Sequence, residues 1–162
     1  MVARYRGFAQ VEYEYVRGRA YEPFEWATFE EPSPRRPLER PLSRSRVALV
    51  ATAGAHLPEQ PAFDLGKSGD SSYRELPSDA HELRFTHAGY DTRRPREDAD
   101  VVFPLSLLRR LAAEGEIGEV APRAFSFMGY IPETEPLLEQ TGPEVAAKLL
   151  ADAVDLVLLV PS

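Results

Sequence analysis

The feature that most constrains the fold is the apolar segment Val154-Asp155-Leu-Val-Leu-Leu-Val160 near the end of the sequence. It is too short to cross a membrane as a helix, which takes about 20 apolar residues. Continuous rather than alternating hydrophobicity is typical of a parallel strand that is covered on both faces of its sheet. We therefore predict that residues 154–160 form a buried strand in the centre of a sheet.

A second apolar run, residues 46–54 (RVALVATAG), ends in small residues, as a buried strand does where it opens onto a loop. Between the two runs, apolar spacings of three and four predict a helix that opens at Phe103 and stops at Gly115. We predict a further strand over residues 124–131. A second helix is predicted to begin at Thr141, and we expect the Thr141 side chain to cap this helix. This succession predicts an α/β fold with a doubly wound, Rossmann- or flavodoxin-like, mostly parallel sheet.

The first 45 residues differ from the rest in composition. Aromatic and charged residues alternate over residues 1–30, and four prolines follow between Pro32 and Pro41, which prevent helix formation. We predict an extended N-terminal arm and Pro-rich linker over residues 1–45, with aromatics that pack against the main domain or a partner subunit. The α/β domain then occupies residues 46–162.

The charge balance and the cysteine count exclude several classes of function. With 26 acidic and 19 basic residues the net charge is -7, which repels phosphate backbones and argues against nucleic-acid binding. The chain contains no cysteine, so it has no disulfide, thiolate nucleophile or Cys-ligated metal of its own. We find no signal peptide and no run of about 18 apolar residues, and we expect a cytoplasmic protein without membrane contact.

The long polar loop over residues 55–100 contains all three histidines. Loops of this length inside a compact domain are usually functional. His56, His87 and Asp91 could meet above the sheet and bind a divalent metal or transfer protons. The alternative is that these side chains only form hydrogen bonds within the loop, and the spacing alone leaves both interpretations open.

Several blocks of sequence, in this order, resemble the selenoprotein B family of glycine, sarcosine, betaine and D-proline reductases. The resemblance covers roughly residues 40–162, and the order of the blocks is more specific than any one of them. The blocks are SRVALVATAGAHLPEQPAFD (45–64), GDSSYRELP (69–77), LRFTHAGYD (83–91), DADVVFPLSLLRRLAAEGEIGEVAPRAFSFMGY (98–130) and DLVLLVPS (155–162).

The resemblance implies a subunit of an oxidoreductase that reductively cleaves a carbon–nitrogen bond in a small amino acid. In the family a selenocysteine or cysteine, reduced by a thioredoxin-type donor, follows the last strand, so its place here would come directly after Ser162. The resemblance also implies other reductase subunits as partners, in a hetero- or homo-oligomer. The residues expected to line the substrate site are Thr52, Gly54, His56, His87, Asp91, Met128 and Gly129.

We accordingly expect the domain to be incomplete at its C-terminus and inactive alone, with no cofactor of its own. One hypothesis is that a UGA codon for selenocysteine was read as a stop. Two alternative functions stay open. The chain could be a non-catalytic partner subunit that docks through its last strand and aromatic arm, or a small metal-dependent enzyme that uses His56, His87 and Asp91.

Overall fold

The structure, a computed structural model, describes residues 30, 32, 36–66 and 68–162. The prediction of an aromatic arm falls on residues 1–29 and lies outside the described residues. From residue 36 onward the described chain belongs to one compact unit, Pro34–Ser162. Within the described ranges, no helix is long and apolar enough to cross a membrane.

Seven strands and three α-helices are formed by the described residues. The strands are β1 (Arg46–Ala51), β2 (Ala55–His56), β3 (Arg74–Pro77), β4 (Arg84–Phe85), β5 (Glu119–Val120), β6 (Arg123–Ser126) and β7 (Leu156–Val160). The helices are α1 (Arg93–Glu97), α2 (Leu105–Ala113) and α3 (Gly142–Ala151). Short 3-10 turns lie at Leu42–Arg44 and Ala99–Val101, and a π-helical turn at Leu137–Thr141 leads into α3.

Strand β1 organises the main sheet. It pairs in parallel with β7 along its length and in parallel with β5 and β6 at its two ends. Strand β3 adds to β6 in the antiparallel direction, and β2 and β4 form a separate antiparallel pair. The α/β class is therefore confirmed and the sheet is mixed, while the doubly wound, Rossmann- or flavodoxin-like arrangement stays a prediction.

The two longer helices cover β1 from opposite sides. Leu49 of β1 is fully buried with Leu105 and Leu108 of α2 in one hydrophobic cluster. The neighbouring Val50 packs in a second cluster with Val145 of α3. Because successive side chains of a strand point to opposite faces, the two helices lie on opposite faces of the sheet. This burial on both faces explains why the β1 sequence is continuously apolar.

The prediction of a buried central strand at residues 154–160 is wrong in its position. Among the described residues β7 pairs only with β1, so it lies at the sheet edge. Leu159 is 69% exposed, and Leu156 and Leu158 are 37% and 38% exposed. An apolar run indicates that a strand tends to be covered, but it does not by itself fix the position of the strand within the sheet.

Two helix boundaries show the limits of local signals. Gly115 ends α2 with a positive φ of 78°, as predicted. Thr141 does not cap α3, because its hydroxyl donates a 2.8 Å hydrogen bond to the Ser71 carbonyl instead. The π-helical turn already precedes α3, so a capping side chain has no open first turn to satisfy.

Candidate ligand-binding site at the strand ends

The carboxyl ends of β1, β6 and β7 meet in one network of main-chain hydrogen bonds. The Thr52 amide donates to the Val160 carbonyl over 3.0 Å, and the Gly54 amide donates to the Phe127 carbonyl over 2.7 Å. The Ser162 amide donates to the Thr52 hydroxyl over 2.8 Å. Ligands of parallel α/β sheets bind beyond this end of the strands, so the network marks the place to look for a site.

Two glycines let the backbone pack tightly at this end. Gly54 has a φ of 62°, and a β-carbon there would overlap the Thr86 carbonyl oxygen. Gly129 has a φ of 92°, and its β-carbon would lie 3.0 Å from Cβ of Thr52 and 3.2 Å from Nε2 of His87. Positive φ favours glycine, so both positions hold a backbone conformation that other residues adopt only with strain.

The loop after β4 places His87 over these strand ends. Its ring stacks on Tyr90 with a centroid distance of 4.1 Å, and the Tyr90 hydroxyl donates to the Ala53 carbonyl over 2.5 Å. Burial raises the pKa of Tyr90 to about 12, so the phenol is neutral at ordinary pH. The main-chain Thr86 amide also donates to the Gly54 carbonyl over 2.9 Å. These contacts attach the loop to the segment that follows β1.

The two ring nitrogens of His87 have different surroundings. Nδ1 accepts a 2.8 Å hydrogen bond from the Gly89 amide. Nε2 is buried and forms no hydrogen bond with any described residue. Burial lowers the pKa of His87, and the nearby Thr52 carbonyl opposes this decrease without forming a well-directed hydrogen bond. Burial therefore favours the neutral form of the imidazole.

His56, expected in the same site, is used by the fold itself. It is only 5% exposed, with Nδ1 2.9 Å from the Leu57 carbonyl and Nε2 3.0 Å from the Thr86 hydroxyl. A neutral ring that donates from Nδ1 accepts at Nε2, so both nitrogens have partners. His56 thus supports the loop that carries His87.

Asp91 lies on the surface rather than over the strand ends. Its carboxylate accepts hydrogen bonds from the Arg93 guanidinium. These hydrogen bonds are the main reason that the pKa of Asp91 falls to about 2. In the part of the chain that the structure describes, no group of three or more His, Asp or Glu side chains is placed to hold a metal. The proposed metal set of His56, His87 and Asp91 is therefore not assembled.

The remaining expected residues divide between the site and the core. Thr52, Gly54 and Gly129 surround His87, whereas Met128 is fully buried beneath them. The sequence reasoning did not select Tyr90, although it belongs to the same HAGYD segment as His87. Its hydrogen bond to a main-chain carbonyl, 37 residues away, has no signature in a side-chain pattern.

A separate open cavity of about 410 Å³ is lined by Glu75, Pro77, Pro122, Arg123 and Asp152. Its charged groups are bound to one another. Arg123 pairs with Asp152 over 2.6 Å and with Glu75 over 2.8 Å, and Lys148 pairs with the second oxygen of Glu75 over 2.7 Å. Because these charges are mutually neutralised, we assign the cavity a structural rather than a ligand-binding role.

Together the fold and the geometry define an α/β domain with a candidate ligand-binding region at the carboxyl ends of its parallel strands. Comparison with protein families is more specific: residues 15–162 match the family Glycine/sarcosine/betaine reductase selenoprotein B (GRDB). The chain belongs to this family, which confirms the resemblance found in the sequence. No solved structure matches the chain.

Curated relatives agree with the family assignment. The D-proline reductase subunit gamma of Acetoanaerobium sticklandii is 38% identical over 125 residues, which cover 76% of this chain and 51% of that protein. The glycine reductase complex component B subunit gamma of Carboxydothermus hydrogenoformans is 31% identical over 133 residues, covering 78% of this chain and 30% of that protein. The chain thus spans about half of one relative and about a third of the other.

Proposed function

We propose that the chain is part of a reductase subunit that cleaves the carbon–nitrogen bond of glycine, sarcosine, betaine or D-proline, and that it contributes the substrate-binding region. The curated relatives are subunits of D-proline and glycine reductases, which supports this class of reaction. The candidate substrates share a small size and a carboxylate. Other subunits of such a complex are the proposed partners.

One observation carries the proposal. Thr52, Gly54, His87 and Gly129 come from three sequence blocks of the family resemblance, and the structure brings them into mutual contact at the strand ends. Residues 52 and 129 are far apart in sequence, so their contact depends on the parallel pairing of β1 with β6. A purely structural strand end would not need a histidine with a buried, unpaired nitrogen.

The residues present here are suited to binding and orientation. His87 is neutral, and the strand ends exclude water from its Nε2. The selenol or thiol proposed for the reaction, which with a dithiol reductant supplies two electrons and two protons to cleave the carbon–nitrogen bond, would come from outside these 162 residues, because they contain no cysteine. We propose, as the family suggests, that its position follows β7.

The proposal is tested with a chimera that joins this chain to the part of the D-proline reductase gamma subunit that it does not span. The chimera is assembled with the other reductase subunits and supplied with a dithiol reductant. Carbon–nitrogen cleavage is measured as amine released from glycine, sarcosine or betaine and as the ring-opened amino acid formed from D-proline. We expect turnover of at least one substrate, and none when the reductant is omitted. A chimera that folds and assembles but cleaves none of the four substrates would contradict the proposed function.

A second candidate function, a non-catalytic docking subunit, is favoured by the apolar edge. Leu159 of β7 is 69% exposed and Leu150 of α3 is 78% exposed, which is unusual for leucines so close to a sheet. This candidate predicts that the chain binds another reductase subunit tightly while contributing no residue to substrate binding. Assembly that survives substitution of His87, together with unchanged substrate affinity, would favour it over the first.

A further inference from the structure

The unpaired Nε2 atom of His87 is the most unusual polar group among the described residues. Buried polar atoms nearly always have hydrogen-bond partners, and leaving one unpaired costs stability. The structure shows this atom buried and without a partner in the described ranges. It lies at the strand ends, where folds of this class bind ligands. A ligand group that accepts a hydrogen bond would remove this cost.

The position of the imidazole proton follows from the neighbouring hydrogen bond. The Gly89 amide donates to Nδ1 over 2.8 Å, so Nδ1 acts as an acceptor and carries no proton. A neutral imidazole then has its proton on Nε2. Stacking on Tyr90, at 4.1 Å between ring centroids, fixes the ring plane. His87 therefore offers a hydrogen-bond donor, and not a base, at the strand ends.

The space beside this donor depends on Gly129. A β-carbon at Gly129 would lie 3.2 Å from Nε2, so any other residue would crowd the nitrogen from that side. The ring belongs to a loop whose Ala88 and Gly89 are exposed, and His87 itself is only partly buried. The donor is thus close to the surface although it is covered in this conformation.

We propose that the Nε2–H group of His87 binds the carboxylate of the amino-acid substrate, with the tautomer fixed by the Gly89 amide. This inference rests on the proposed function for the identity of the substrate. An N–H donor pairs with a carboxylate and cannot pair with an ammonium group, so the contact also orients the substrate, with its nitrogen directed away from His87.

The test uses the full chain of 162 residues with 15N-labelled histidine, observed by NMR. Before any ligand is added, we expect the His87 resonances to show a protonated Nε2 and an unprotonated Nδ1. Addition of glycine or D-proline should shift the Nε2 resonance, whereas glycinamide and D-prolinamide, which lack the carboxylate, should leave it in place. A protonated Nδ1, an equal shift with the amides, or no shift with either amino acid would overturn the proposal.

A variant provides a second measurement. His87→Phe keeps an aromatic ring for Tyr90 and removes the donor, and we expect it to weaken amino-acid binding at least tenfold. His81→Phe changes an exposed histidine of the same long loop and should bind as the wild type does. Equal amino-acid affinities of the two variants would count against the proposal. If His87→Phe does not fold, the NMR measurement of the His87 tautomer in the wild type decides between the outcomes.

The outcome can be separated from that of the proposed function. A carboxylate-dependent shift at His87, combined with a chimera that assembles but cleaves no substrate, would support the binding role and contradict the reductase assignment. An active chimera whose His87 resonances ignore the substrate carboxylate would support the reductase assignment and overturn the binding role.

Discussion

The α-carbon of Gly129 faces His87 so closely that a β-carbon on it would lie 3.2 Å from Nε2 of the imidazole. The same β-carbon would lie 3.0 Å from Cβ of Thr52. Gly129 therefore has two constraints, a left-handed backbone with a φ of 92° and close neighbours on the side where other residues carry a side chain. The left-handed conformation is a property of the backbone, whereas the close neighbours are a property of the site. Substitutions can measure the two costs separately.

Gly129→Ala should destabilise the protein by about 2–3 kcal/mol, because it adds crowding to the cost of positive φ. Gly115→Ala is the matched control, since Gly115 has a φ of 78° but nothing within 4 Å of its β-carbon position. The control should lose only about 1 kcal/mol of stability, which is the cost of the positive φ alone. Urea denaturation measures the unfolding free energy of both variants. Equal decreases would show that the neighbours of Gly129 move easily to make room for a β-carbon.

Tyr90 should make stability depend on pH in the alkaline range. Burial raises its pKa from 10.0 to about 12, so the unfolded chain loses the phenolic proton first. The stabilisation is complete below pH 10 and is lost as the pH rises toward 12. We expect the unfolding free energy of the wild type to fall by about 2 kcal/mol over this range, relative to Tyr90→Phe. Parallel curves for the two proteins would contradict the assignment of this titration to Tyr90.

Asp152 should make stability depend on pH in the acid range. Its carboxylate accepts two hydrogen bonds from Arg123, which lower its pKa below the ordinary value of 3.8. Stabilisation from a lowered pKa is present above 3.8 and is lost as the pH falls through the pKa of the folded state. Asp152→Asn should therefore be less stable than the wild type at pH 7, and the difference should shrink in acid.

Thermal unfolding between pH 7 and pH 2 measures the difference in stability between Asp152→Asn and the wild type. Asp79→Asn, which alters an exposed aspartate outside the Arg123 network, is the control and should follow the wild type throughout. If Asp152→Asn kept a constant deficit down to pH 2, the loss would reflect altered packing rather than the ion pair.

Leu159 should promote self-association of the isolated chain. An exposed apolar edge strand is a template for contact with other chains, and Leu159 is the most exposed residue of β7 among its large apolar side chains. Leu159→Lys should reduce concentration-dependent association in sedimentation velocity, with a change in stability below about 0.5 kcal/mol. Val101→Lys, at another exposed apolar residue (55%), should leave association unchanged.

Much of the fold could be predicted from local patterns. The continuous apolar run predicted β1, the spacing of leucines predicted α2, and Gly115 predicted its end. These elements depend on residues within one or two turns of one another. The α/β class follows from their order and is confirmed.

The rest depends on contacts between distant residues. The run of residues 154–160 correctly indicated a strand, but its place at the edge depends on what packs beside it, which a single segment does not encode. Thr141 matched a helix-capping pattern, but its hydroxyl donates a hydrogen bond to the carbonyl of Ser71, 70 residues earlier. For the site, the long polar loop pointed to His87 and the family resemblance to Gly129, while the separate roles of His56, Asp91 and Tyr90 required the hydrogen bonds themselves.

The pairing of β1 also has a consequence for biosynthesis. Its partners lie at residues 119–126 and 156–160, and the Arg46 amide is bound by the Asp155 carboxylate 109 residues later. At ribosomal rates of about 5–20 residues per second, β1 leaves the ribosome roughly 5–20 seconds before its last partner has been made. Until residues 119–126 have been made, the apolar segment VALVA has no parallel strand to pair with, so the nascent chain exposes apolar surface that the finished protein buries.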